Sequence, residues 1–145
     1  MYCTLEDILY AFAEKDIAAM SQDDIPLDEV DQAVIDASIT QACGLIDAYI
    51  GGRYIVPLIS APVTIQRIAI DIAVYYIAKR RYISEFPEAL KIGYDEAIAY
   101  LIAICDGLQL LDAPLREDSN YKFAIKVNKT PQDKKFSKYK LRQII

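Results

Sequence analysis

The chain has 145 residues, 54% of them hydrophobic and 26% charged, with a formal net charge of −5 at pH 7. This is the size and mix of one folded domain with a substantial core, not of a disordered or low-complexity chain. Histidine is absent, which excludes Ser–His and Cys–His nucleophilic catalysis, imidazole metal sites and the commonest general base.

Thr4 followed three residues later by Asp7 is a capping arrangement. Leu5, Ile8, Leu9 and Phe12 then share one helical face, which predicts a first helix over residues 4–17. The opening MYCTLEDILY has no basic segment before an apolar core, so no secretory signal is expected. Residues 21–31 are rich in acid, with Asp23, Asp24, Asp28, Glu29 and Asp31. The stretch lacks the central glycine and final glutamate of an EF-hand, and Pro26 interrupts it. It reads as a solvated acidic loop leading to a helix N-terminus, where the dipole favours negative charge. No metal site and no cofactor is expected.

A second helix is expected over 28–50. Val30, Val34, Ala37, Leu45, Ala48 and Tyr49 form a candidate inward stripe, and Ala33, Ala42 and Gly44 offer close helix approach. Gly51 and Gly52 are placed to stop that helix in the left-handed conformation. Pro57 keeps the next stretch from being helical, and Ser60 is a candidate N-cap with Pro62 in the following first turn. The helix expected over 62–80 is apolar on most of its circumference. One line is Ile65, Ile68, Ala69, Ile72, Tyr75 and Tyr76, a second is Ile70, Ala73 and Ile77, and only a strip through Arg67 and Asp71 is charged. A helix of this kind needs cover on most sides, which makes it the central helix. Arg67 and Asp71 are one turn apart and read as a structural ion pair.

Pro87 opens a fourth helix reaching Asp106, with Leu90, Tyr94, Ala97, Ile98, Leu101 and Cys105 in register and Gly107 ending it. Ile102, Ala103 and Ile104 add apolar surface beyond that stripe. Residues 112–120 read as a polar linker, 121–127 alternate as a strand does, and the chain closes on KKFSKYKLRQII. The fold class is therefore mainly α: a compact bundle of about four helices over residues 1–111, then a linker and a strand-like basic arm over 112–145. Charge divides the same way. Residues 1–115 carry 7 basic and 18 acidic side chains, a net −11, whereas 116–145 carry 9 basic and 3 acidic, a net +6. An acidic body with a basic arm implies that the arm meets a negative partner.

No residue pattern specifies catalysis. Asp47 and Asp71 are the carboxylates nearest the apolar core, but Asp71 has Arg67 beside it, and Asp47 is placed to accept hydrogen bonds from Arg53 or the glycine-loop backbone. Cys3, Cys43 and Cys105 are widely spaced and outside any CxxC pattern, and Cys43 and Cys105 read as core thiols. No run of uncharged residues reaches the length of a membrane span; the longest, 54–66, contains two prolines. A cytoplasmic protein that is not an enzyme is expected.

Three stretches carry a resemblance: DAYIGGRYIVPL at 47–58, IAIDIAVYYI at 68–77 and YDEAIAYLIAICDG at 94–107. They resemble the Mu-like phage and prophage family of small head–tail junction proteins, as do the opening YCTLEDILYAF and the closing KKFSKYKLRQI. The resemblance implies a virion structural protein, a head–tail connector or adaptor in the neck. It would form a ring at the portal–tail junction and continue the DNA channel. Implied partners are itself, at about twelve copies by family analogy in a closed ring, the portal protein, a tail or tail-completion protein, and DNA passing without sequence-specific binding. No membrane partner is implied. The implied location is the virion head–tail junction, with the host cytoplasm during assembly.

Within that reading Asp47, Tyr49, Arg53, Tyr54, Pro57 and Leu58 form a structural loop motif. The candidate partner-binding arm carries Lys134, Lys135, Lys138, Lys140 and Arg142, with Phe136, Tyr139 and Leu141 between them. The alternative reading is a nucleic-acid-binding module that uses the same arm, the basic side chains on phosphates and Tyr139 for stacking.

Overall fold

The computed structural model describes residues 1–22, 29–82 and 85–117. Among these the fold is a helical bundle: α1 (Leu5–Ala11), α2 (Glu14–Ser21), α3 (Gln32–Ile50), α4 (Val63–Arg81) and α5 (Glu88–Cys105). The strand-like stretch 121–127, the turn after it and every candidate arm residue (Lys134, Lys135, Phe136, Lys138, Tyr139, Lys140, Leu141 and Arg142) lie outside the described residues.

α4 is the central helix, packed against α1, α2, α3 and α5. Its buried residues Ile65, Ile68, Ala69, Ile72, Ala73, Val74, Ile77 and Ala78 cover more than half of its circumference. The sequence pattern demands this, because leaving so broad an apolar surface in water would forfeit the main driving force for folding. The helix begins after Pro62, which is itself the extended N-cap, so Ser60 does not cap it. The proline ring biases Ala61 away from helical geometry and sets the start. At the far end Arg80 and Arg81 donate to the carbonyl oxygens of Ser21 and Gln22, at the end of α2. Two orphan carbonyls of one helix are thus satisfied by cations that also suit the C-terminal dipole of another.

The single first helix expected over 4–17 is two helices. Phe12 and Ala13 are extended between them, and the Phe12 N–H still bonds to the Ile8 carbonyl. Ile8 and Ile17 are both fully buried. In one continuous helix, residues nine apart point about 180° away from each other, and the break lets both reach the same core. The Thr4–Asp7 capping box forms as expected.

α3 starts later than expected, at Gln32. The Asp31 carboxylate caps the N–H groups of Ala33 and Val34, and the Asp31 N–H donates to the Ser21 hydroxyl. Its inward face is also displaced by one residue. Ile35, Ser38, Ile39, Ala42, Ile46 and Ile50 are buried, whereas Val34, Leu45 and Tyr49 are half-buried and Ala37 and Ala48 exposed. Of the small residues expected at a close crossing only Ala42 is buried, and Ala33 and Gly44 face outward. α3 is apolar enough all round for two stripes to compete, and packing against α4 selects the one rich in isoleucine. Ser38 satisfies itself there by donating to the Val34 carbonyl at 2.8 Å. By length and composition α3 could cross a membrane, but its isoleucine face is built into the bundle.

In α5 Ala97, Leu101 and Ile104 are buried, and Leu90, Tyr94, Ile98 and Cys105 pack half-buried beside them. Ile104, expected as surplus surface, joins the core, while Ile102 remains 44% exposed. At the start of α5, Tyr94 stacks on Tyr75 of α4 with centroids 4.0 Å apart, and Phe86 closes on Tyr75 at 5.0 Å. Burial, then the neighbouring Tyr76, pushes the Tyr94 phenol up to about 12. Cys3 is buried and Cys43 and Cys105 are half-buried, so the deepest thiol is the one outside the helices. Burial and then the nearby Cys43 push the Cys3 thiol up to about 12, leaving it an unreactive core group at neutral pH.

Candidate interaction surface

One end of the bundle is organised around the loop between α3 and α4. The C-terminus of α3, the N-terminus of α4 and the C-terminus of α5 meet there. Arg53 is 3% exposed and Tyr54 1% exposed, so a charged and a phenolic side chain are both drawn inside. Tyr54 forms an antiparallel bridge with Leu115, and its hydroxyl accepts the Leu111 N–H at 2.9 Å. The Ile55 N–H donates to the Pro114 carbonyl at 3.0 Å, and the Arg116 N–H to the Arg53 carbonyl at 2.9 Å. Arg116 also donates from its side chain to the Gly51 carbonyl. Residues 111–116, which take in the start of the stretch 112–120 that reads as a polar linker, therefore lie folded back along the loop.

The glycines act differently from expectation. Gly51 is right-handed (φ −63°, ψ −18°), and Gly107 is the left-handed glycine among the described residues (φ +80°). Gly51 is needed for closeness, since a Cβ there would lie 2.6 Å from the Asp47 carbonyl oxygen and 3.2 Å from a Val56 methyl. Gly107 is needed for its left-handed backbone, and a Cβ there would also crowd the Arg53 guanidinium. The guanidinium thus rests on the turn that ends α5, and the loop motif and that turn are a single packed unit.

Asp47 is engaged by a residue that sequence reasoning missed. Tyr2, 3% exposed, donates its hydroxyl proton to Asp47 Oδ1 and accepts the Leu58 N–H at 3.0 Å. The Tyr2 N–H donates to Cys43 Sγ at 3.3 Å. Burial foremost, then the Asp47 carboxylate, pushes the Tyr2 phenol up to about 12. The opening segment is thereby pinned to α3 and to the loop. The only sequence signal for this was the position of Tyr2 in the opening stretch that resembles the family. Val56–Pro57 is a cis peptide bond, Pro57 is exposed and Leu58 is buried. Tyr49 is half-buried on the last turn of α3. The loop residues Asp47, Arg53, Tyr54, Pro57 and Leu58 are gathered at this end; Arg67 and Asp71 lie apart on α4.

That second pair spans 3.9 Å, with the Arg67 side chain 82% exposed, so it adds little. Burial raises the Asp71 pKa despite Arg67, with Glu96 adding to the rise. These groups border a groove of about 230 Å³ between α4 and α5, with Thr64, Ala97 and Tyr100. A larger open groove of about 490 Å³ lies between α3 and α4, lined by Val34, Ser38, Gln41, Tyr76, Lys79 and Arg80. Among the described residues no three His, Cys, Asp or Glu side chains are grouped as a metal site would require.

Outside this packed frame the same end exposes Ile55 (51%), Ile59 (97%), Val63 (80%), Leu108 (79%), Leu110 (60%) and Leu115 (48%). Single exposed apolar residues are ordinary, but six of them on the segments that meet at this end leave it rich in exposed apolar side chains, the composition that marks a binding surface when such side chains adjoin.

The family model described as Bacteriophage Mu, Gp36 matches residues 2–124. The chain belongs to that family. It is also similar to the Mu-like prophage FluMu protein gp36 of Haemophilus influenzae, being 30% identical over 78 residues. That match covers 54% of this chain and 52% of the relative, so it spans about half the length of each. The Gp36 family model takes in all five helices, the loop motif and the returning segment 111–116, the parts that build the apolar end. The matches place the chain in a Mu-like phage protein family, and its fold is a helical bundle.

Proposed function

We propose that this Gp36-family protein is a virion structural protein, a head–tail connector that joins a ring at the portal–tail junction and carries no catalytic activity. The observation that supports this best is the apolar end, where Ile55, Ile59, Val63, Leu108, Leu110 and Leu115 stand exposed around a hydrogen-bonded loop. Such a surface suits a subunit that buries it on assembly. A ring needs heterologous contacts, with one patch meeting a different patch on the next copy, and closes by rotation. An acidic body of net −11 and a basic segment of net +6 supply two unlike surfaces. An acidic channel wall would also keep DNA from adhering, because phosphate neutralisation by Lys and Arg drives non-specific binding. In this reading the basic arm over 121–145 reaches a neighbouring subunit or the portal.

Particles made with the chain ended after residue 120 test this. The expected result is loss of neck assembly and accumulation of unjoined heads and tails, while the shortened protein keeps its helical circular dichroism. Normal particles from the shortened chain would overturn the role of the arm. Absence of the full-length protein from purified particles would overturn the connector reading.

A further inference from the structure

α5 presents a face that the bundle does not cover. Glu88, Ile92, Asp95, Ala99, Ile102 and Asp106 are all exposed, with Ile92 at 52% and Ile102 at 44%. They recur at alternating steps of four and three residues, the spacing that keeps a stripe in line along one helix for a partner segment. The stripe sets three acids, Glu88, Asp95 and Asp106, among Ile92, Ala99 and Ile102, and Glu96 borders it. Lys91 is the one cation on the exposed side of α5. By contrast, the exposed side of α3 carries Asp36 as its only charge and no large apolar residue. The exposed charges of α4 are Arg67, Lys79, Arg80 and Arg81, all basic. Among the described helices, α5 alone combines repeated acid with exposed isoleucine.

Residues 134–142, KKFSKYKLR, have the complementary composition: five cations, no acid, and Phe136, Tyr139 and Leu141 between them. The distances allow the match. The described chain stops at Glu117, beside the end of α5, and the 17 residues to Lys134 span at most about 60 Å when extended. α5 with its 18 residues is about 27 Å long.

We propose that the Glu88–Ile92–Asp95–Ala99–Ile102–Asp106 stripe of α5 is the seat for residues 134–142 of a second copy of this chain. This rests on the connector reading and names the contact that links successive subunits. Docking in trans follows from that reading: a seat and an arm on one chain, each filled by a different neighbour, make the heterologous contact that a ring repeats. The apolar side chains supply burial, and the acid–base pairs fix which segment sits there and in which orientation.

The test uses full-length protein in assembled necks, made from a mixture of light and heavy-isotope chains and treated with a zero-length carbodiimide. Cross-links from Lys138 or Lys140 to Asp95 or Glu96 are expected in light–heavy pairs. Asp95→Lys with Glu96→Lys should lower assembly about tenfold or more, through like-charge contact. Lys138→Glu with Lys140→Glu should do the same, and combining all four should restore assembly. Both acids are exposed, so folding should persist, which circular dichroism checks. Cross-links confined to one chain, or normal assembly of the reversed variants, would overturn this docking and leave the connector reading standing. Absence of the wild-type chain from necks would overturn both.

Discussion

The anchoring of Tyr2 supports a quantitative prediction. Its hydroxyl donates to the Asp47 carboxylate and accepts the Leu58 N–H. Tyr2→Phe keeps the ring and removes both bonds. A hydrogen bond to a charged group contributes about 1.5–3 kcal/mol and a neutral one about 0.5–1.5, so the expected loss is roughly 2–4 kcal/mol. That is a large part of the roughly 5–15 kcal/mol that holds such a domain together. The pH dependence adds a second signature. Burial and Asp47 raise the Tyr2 pKa from 10.0 to about 12 in the folded protein. Below pH 10 both states keep the proton and the contribution is complete. Between pH 10 and 12 the unfolded chain gives it up first, so stability falls as pH rises. At two units the total is on the order of 2–3 kcal/mol. Cys3 and Tyr94 bend the curve in the same direction, so the difference between wild type and variant is what isolates Tyr2. Urea unfolding followed by circular dichroism, at pH 7 and across pH 10–12, measures both quantities. A loss below about 0.5 kcal/mol, or an alkaline slope unchanged in the variant, would refute the anchoring role.

Gly107→Ala should cost about 2 kcal/mol or more, because it combines a left-handed backbone with a collision against the Arg53 guanidinium; urea midpoints measure this. Gly44→Ala and Gly93→Ala should each stabilise the isolated protein by about 0.5–1 kcal/mol, since both sit within helices with open space around the added methyl. Thr4→Ala should cost about 1 kcal/mol through loss of the cap at α1, seen as a lower melting temperature. Asp71→Asn should be neutral to stabilising at pH 7. The raised Asp71 pKa means that its stability contribution is complete below the ordinary carboxylate range and is lost as pH rises through the folded value. The advantage of Asn should therefore vanish in acid, as parallel unfolding curves at the two pH values would show.

The central helix was legible because its apolar residues exceed any single stripe, and only burial on most sides satisfies such a pattern. α5 and its stop at Gly107 were legible for similar reasons, the glycine following a strongly periodic segment. The face of α3 was not. Val34 and Leu45 are nearly as apolar as the neighbouring Ile35 and Ile46, and only the position of α4 decides between the two faces. The break at Phe12–Ala13 carries no proline or glycine, and its cause is the shared core of Ile8 and Ile17, a tertiary demand. The loop motif was found by resemblance, but its partners were hidden. Tyr2, Leu111 and Arg116 are about 45–65 residues from the groups they bind, and no local pattern encodes such pairings.

The most direct measurement is cryo-electron microscopy of purified particles, with mass spectrometry of the same preparation. The protein should be present and should fit the density between head and tail as a closed ring of helical bundles. Intact, tailed particles that lack this chain would contradict its assignment as a connector.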